Sequence, residues 1–287
     1  MCNIIRTGRE ILYINYTMKK IAGIERDTRA RLVEVLRGTK PVFTIKEAAG
    51  ILGMSNTATA KMMARWVEQG WLIRVRRDAY MAVPPEARSP DDVSEDPLIV
   101  ASRVFDPSYL GGWTAAEQWG LTEQIFRTIM VITTRKLNIR RVKIRSSEFL
   151  IKTISEYRFF GIKTVWRDNS KISFSDPTKT IVDLLNDPAL AGGSRMLFQM
   201  LKTYLSSKDY DSSLLLDYCA RMNNGAIYKR LGYMLEQSGD ADTNLLKEIR
   251  KKMTTGNAKL DPAIPCNTLV TRWRLFIPKQ WDENSYD

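Results

Sequence analysis

The sequence predicts an α+β protein: an N-terminal winged helix-turn-helix followed by a C-terminal mixed α/β domain with a helical C-terminal half. Three observations predict it. Between Phe43 and Arg77 two helix patterns flank a glycine turn and run into a basic hairpin. From Leu98 to Phe174 a short helix pattern gives way to period-two segments, and beyond Asp176 the periodicity is mainly helical. The Pro-rich, acidic stretch Val83–Asp92 lies between. It marks a linker, so the expected domains are 27–85 and 97–287, joined by 86–96.

Taken in order, residues 1–26 match no specific pattern. Met18-Lys19-Lys20 would serve as a start, leaving 1–17 as a short arm. Leu32, Val33, Val35 and Leu36 sit amid charges, with Asp27 or Thr28 as N-cap and Gly38 past the end. Thr44 caps a helix from Ile45 to Leu52, with Glu47 at N3 completing a capping box. Gly53 supplies the left-handed turn and Ser55 caps the next helix. There Ala58, Met62 and Trp66, with Met63 and Val67, form an apolar stripe. Leu72–Arg76 and Ala79–Val83 pair across Arg77-Asp78 as the wing, and Asp78 must adopt a turn conformation that Asp tolerates.

The face opposite the stripe carries Ser55, Asn56, Thr57, Thr59, Ala60, Lys61 and Arg65. Small and polar residues at a helix start let the backbone approach a groove and reach base edges, and cations a turn later suit phosphates. The wing adds Arg74, Arg76 and Arg77. Double-stranded DNA is the partner this pattern fits. A module for protein contact with a solvated basic face fits it too.

Composition narrows the field. With no histidine, Ser-His and Cys-His catalysis and histidine-ligated metal sites are excluded. Cys2, Cys219 and Cys266 are far apart, so reduced thiols are expected rather than disulfides or a zinc site. No apolar run approaches a membrane span and the N-terminus lacks a signal-peptide core, so a cytoplasmic protein without metal or cofactor is expected. The net charge is +12. Residues 1–85 hold 15 Lys/Arg against 7 Asp/Glu, and residues 135–167 hold 10 against 2. Two basic regions therefore stand out.

In the second domain, a short helix from Leu98 to Phe105 precedes strand patterns at Thr128–Thr134, Arg140–Arg145, Gly161–Trp166 and Lys171–Phe174. The alternation in the second of these puts Arg141, Lys143 and Arg145 on one face, with Val142 and Ile144 inside. That face could be a second nucleic-acid surface, a toxin contact or merely solvated. Asp176-Pro177 opens a helix that Asp187-Pro188 ends. Four amphipathic patterns follow around Met196–Leu201, Leu214–Met222, Ile227–Leu235 and Leu245–Met253, punctuated by Gly225, Gly239 and Gly256, before a strand near Leu269–Ile277.

Two blocks carry a family resemblance. One is Gly111-Gly112-Trp113-Thr114-Ala115-Ala116-Glu117-Gln118-Trp119-Gly120-Leu121-Thr122, read as a turn and then a helix capped at Thr114. The other is Ser175-Asp176-Pro177-Thr178-Lys179-Thr180-Ile181-Val182-Asp183. With the winged helix they resemble the AbiEi family of antitoxins of type IV toxin–antitoxin, abortive-infection systems, over roughly 28–205. The family-motif residues are Gly111, Gly112, Trp113, Trp119, Asp176 and Asp183. The resemblance implies repression of the protein's own operon through inverted repeats in its promoter, which would seat paired protomers. It also implies action against a nucleotidyltransferase-like toxin, for which a stable complex is not required. Position 118, often His in relatives, is Gln, and the wing tip, often Arg-Gly, is Arg77-Asp78.

Two alternatives remain at this stage. One is a winged-helix regulator without antitoxin activity. The other is a nuclease using Asp168, Asp176, Lys179 and Asp183. A metal-dependent nuclease needs an acidic residue on one strand and Asp/Glu-x-Lys on the next, and no such tripeptide lies on a plausible strand. Glu148 and Lys152 are spaced for a helix, as are Asp183 and Asp187. Catalytic residues are therefore not expected.

Overall fold

The computed structural model describes residues 4–7, 11–14, 25–39, 42–76, 78–83, 96–137, 140–144, 147–167, 170–239, 242–279 and 281. Almost all of the expected linker, with Arg77, Arg145 and Asp168, lies outside the described residues, as does the side chain of Arg76. The chain packs as two units that are discontinuous in sequence. The first comprises 1–108, 127–152 and 165–172; the second comprises 109–126, 153–164 and 173–287.

In the first unit, α1 (Arg26–Gly38) begins after Glu25, one residue ahead of Asp27, and Glu25 makes no side-chain cap bond. Helices α2 (Ile45–Leu52) and α3 (Asn56–Glu68) follow the sequence expectation closely. Strands β3 (Val42–Phe43), β4 (Leu72–Arg76) and β5 (Ala79–Ala82) form a sheet in the order β3-β5-β4. Leu32, Val35, Phe43, Ala48, Met63, Trp66, Leu72 and Tyr80 make one core beneath them. Burying side chains of this size stabilises by roughly 1.5–3 kcal/mol each before the opposing chain entropy.

The same unit holds α4 (Pro97–Val104), capped by Asp96 with Pro97 at N1. It also holds a sheet in which β1 (Ile4–Thr7), β2 (Ile11–Ile14), β8 (Arg141–Ile144), β9 (Ser147–Thr153) and β7 (Thr128–Thr133) are successive neighbours. The first two had no sequence signal; β2 runs parallel to β8, with Leu12 opposite Val142. Strand β9 corrects the helical reading of Glu148 and Lys152. Phe149 and Ile151 are buried at period two, and Glu148 lies opposite Lys143. The β10–β11 hairpin (Ile162–Arg167 and Ser170–Ser175) completes the strands expected before Asp176.

In the second unit, Leu110 of β6 (Ser108–Leu110) pairs in parallel with Phe174 of β11. Helix α6 (Pro177–Asn186) is buried from Pro177 to Leu185. Its buried positions include the polar Thr178, Lys179, Thr180 and Asp183 as well as Ile181, Val182, Leu184 and Leu185, so the helix is enclosed on all sides and its polar groups need partners inside. Here α5 (Gly112–Gln118), α7 (Ser194–Leu205), α8 (Ser212–Arg221) and α9 (Gly225–Ser238) surround it, and α10 (Thr243–Lys251) lies on α9. The C-terminal tail forms a small sheet ordered β12 (Ala258–Lys259), β14 (Leu275–Ile277) and β13 (Thr268–Val270). Arg230 ties it down, donating to Lys259 O and Leu260 O on one side and to Leu185 O on the other. Trp273 lies against Gly232, where a Cβ would sit 2.1 Å from the indole. A glycine is required there by close approach.

Candidate nucleic-acid interface

The two helices of the winged module differ sharply at their N-termini. At α2, Glu47 Oε2 accepts from Thr44 N at 2.8 Å, while Thr44 Oγ1 accepts from Glu47 N at 3.2 Å, closing the capping box. Asp78 Oδ1 accepts from Ile45 N at 3.1 Å. Two carboxylates thus occupy the positive end of α2, which leaves it unsuited to a phosphate. At α3 the Ser55 hydroxyl accepts from Ala58 N at 3.3 Å, and the first turn contains no acidic residue. The open positive helix end belongs to α3.

Ser55, Asn56, Thr57, Lys61 and Arg65 are all exposed along this helix, whereas Met63 and Trp66 are fully buried. Gly53 takes φ +62° and lets α2 and α3 cross. Thr59 is a correction. It is completely buried, and its hydroxyl donates to Ser55 O at 3.0 Å, so it faces the core and cannot reach a base. The 3.6-residue period places position 59 with 63 and 66 on the inner face.

Across the wing, Leu72 pairs with Ala82 and Arg74 with Tyr80, and a bulge between Arg74 and Arg76 shifts the register. Arg74 is exposed, with its guanidinium 6.0 Å from the Tyr80 ring centroid. Asp78 does take the left-handed conformation, at φ +66°. Outside the winged module, Arg141 and Lys143 are exposed and Val142 and Ile144 buried, as the alternation requires. Arg141 lies 3.7 Å from Glu148, an exposed pair of little energetic weight.

Charge follows the structural units and not the sequence halves. The first unit contains 27 Lys/Arg and 15 Asp/Glu, a difference of +12; the second contains 17 and 17. The entire net charge of the chain therefore sits in the unit that holds the winged helix. Sequence reasoning missed this, because segments 127–152 and 165–172 join that unit only through the fold.

Residues 30–83 match the AbiEi_4 family, described as a transcriptional regulator, AbiEi antitoxin. The winged module is thus similar to that of AbiEi regulators. The crystal structure of the RV2827C protein from Mycobacterium tuberculosis superposes with a TM-score of 0.59, covering 89% of this chain and 93% of that one at 15% identity. At that identity the likeness is one of fold. No curated protein matches the chain.

The motif residues beyond the winged module are framework. Helix α5 starts at Gly112, two residues ahead of the expected Thr114 cap; Gly111 is its N-cap, Gly112 has φ +55° and Thr114 is buried. Trp113 stacks on Phe126 at 5.3 Å. Trp119 donates to Ser175 O at 2.6 Å and meets Phe174 edge-on. Asp176 caps α6 through Lys179 N at 2.7 Å and accepts from the Tyr218 hydroxyl at 2.9 Å. Burial, with Asp176 beside it, pushes the Tyr218 phenol up to about 12.

Lys179 and Asp183 form an ion pair one turn apart, both buried, and Tyr109 donates to Asp183 at 2.8 Å. Desolvation lowers the lysine pKa and raises that of the carboxyl, each opposed by the attraction of its partner. Closed off from solvent, the pair is placed for packing. The Cys219 thiol is buried and pushed up to about 12 by desolvation, so it stays protonated. Among the described residues, no group of three His, Cys, Asp or Glu could hold a metal, and no helix is long and apolar enough to cross a membrane.

Proposed function

We propose that this protein is a DNA-binding autoregulator that acts as the antitoxin of a type IV toxin–antitoxin pair. The observation that carries the DNA half is the α3 N-terminus. It is free of carboxylates, lined by exposed Ser55, Asn56, Thr57 and Lys61, and belongs to the unit holding the whole +12 charge. In this reading α3 enters the major groove with Asn56 and Thr57 at base edges. Lys61, Arg65 and the wing residues Arg74, Arg76 and Arg77 lie on phosphates. Arg141 and Lys143, with Arg145 beyond them in sequence, form a second basic surface for flanking backbone. Inverted repeats in the protein's own promoter would seat two protomers.

The antitoxin half rests on the AbiEi-type match and on the two motif blocks. The functional partner is a nucleotidyltransferase-like toxin encoded alongside and countered in the cytoplasm, with no stable complex required, and the protein itself is not an enzyme. Burial of Lys179 and Asp183 supports this over a nuclease, because a metal-binding carboxylate must reach solvent and substrate. A second reading, a regulator without antitoxin activity, is favoured by the same α3 geometry. Co-expression with the product of the neighbouring gene separates the two. Rescue of growth that survives Lys61→Ala would support the antitoxin reading, and growth arrest regardless of this protein would leave the regulator alone.

A further inference from the structure

Asp78 carries a cost on two counts. Its left-handed φ of +66° is one that Asp tolerates but Gly adopts freely, and a carboxylate on a cationic wing opposes phosphate binding. The compensation lies in the sheet register. Val42 pairs with Met81 and Phe43 with Tyr80, so continuing the ladder brings Ile45 opposite Asp78. There the chain has already left β3 and entered α2, so no backbone partner follows. The Asp78 carboxylate takes over, accepting from Ile45 N at 3.1 Å across 33 residues of sequence. Ile45 opens α2, and its N–H is among those a helix leaves unpaired.

The second support is the neighbouring carboxylate. Glu47 holds the same helix start through Thr44 and is paired with Arg103 of α4 at 2.9 Å. Burial opposes its ionisation, but hydrogen bonds from Thr44 and the Arg103 charge hold its pKa below the usual value. The first turn of α2 is therefore gripped from two sides, by the wing turn and by α4.

We propose that Asp78 is a positioning residue that latches the wing turn to the start of α2 and so fixes where the wing arginines present themselves. The latch is independent of any ligand, but its consequence for binding rests on the DNA reading above. Two variants of the full chain isolate it. Asp78→Asn and Asp78→Gly remove the same charge and both accept the left-handed conformation, yet Asn alone retains an acceptor for Ile45 N.

Deuterium exchange of the Ile45 amide should remain protected in the wild type and Asp78→Asn, and become faster in Asp78→Gly. Affinity for duplex DNA from the protein's own promoter should be about three- to tenfold weaker in Asp78→Gly than in Asp78→Asn, the scale of one hydrogen bond. Asp78→Asn should bind at least as tightly as the wild type. Equal Ile45 exchange in the two variants would overturn the latch. Equal duplex affinity with unequal exchange would overturn its role in aiming the wing. If the wild type binds no duplex at all, the DNA reading fails, while the Ile45 exchange still decides whether the latch exists.

Discussion

Replacing Asp183 by Asn removes one charge from the buried pair and almost nothing else. The Asp183 side chain is 4% exposed and that of Lys179 0%. The ammonium then keeps the Tyr109 hydroxyl at 3.2 Å and the weaker attraction of Asp176, but loses its paired carboxylate. Breaking a buried pair in this way costs about 3–5 kcal/mol. The loss has a ceiling, because Lys179 can shed its proton. From a reference value of 10.5, neutralising it costs about 4.8 kcal/mol at pH 7 and about 2 kcal/mol at pH 9, at 1.36 kcal/mol per unit. In the variant the folded-state lysine pKa is depressed further, so the unfolded chain binds more protons and stability rises with pH. Urea unfolding at pH 7 and pH 9 reads both effects. The deficit relative to wild type should be several kcal/mol at pH 7 and shrink by pH 9. The double variant Lys179→Met with Asp183→Leu should recover most of it. A deficit below about 1 kcal/mol, or one that does not change with pH, would refute a buried, paired lysine.

Further outcomes follow from the interface. Lys61→Ala and Arg74→Ala should each weaken duplex binding and reduce the salt slope by about one, with unfolding temperature unchanged. Thr59→Val should do the reverse, lowering stability by about 1 kcal/mol through the lost bond to Ser55 O while leaving affinity intact. Because the Glu47 carboxyl has a lowered pKa in the fold, its contribution is present above the ordinary glutamate range and lost as pH falls through the lowered value. Glu47→Gln should therefore flatten the acid limb of the thermal-melt profile between pH 6 and pH 3. Gly232→Ala should destabilise the second unit, because its Cβ would overlap Trp273; unchanged denaturation would contradict that packing.

The winged helix was readable because its signals are local. The capping box at Thr44 and Glu47, the Gly53 turn and the Ser55 cap each act within a few residues, and the structure reproduces all of them. Asp176-Pro177 worked for the same reason. What failed was set by tertiary context. Thr59 looks like a surface residue by type, but its angle on α3 turns it inward. Strand β9 was obscured because Glu148 and Lys152 satisfy a helical spacing, while Phe149 and Ile151 set the true period. The Asp78 contact spans 33 positions and depends on the β3–β5 register, and no pattern along the chain announces it. The segregation of charge was equally hidden, since the first unit is assembled from three separate segments.

The central claim is that the α3 start and the wing bind a specific duplex. A salt titration of the full chain on the DNA upstream of its own gene, against a scrambled duplex of equal length, tests it most directly. With about five cations per protomer on phosphates, namely Lys61, Arg65, Arg74, Arg76 and Arg77, log K should fall with a slope of about −4 to −5 per protomer against log salt. That slope is expected together with strong preference for the upstream sequence. Equal, weak binding to both duplexes would contradict it and recast the winged helix as a protein-contact module.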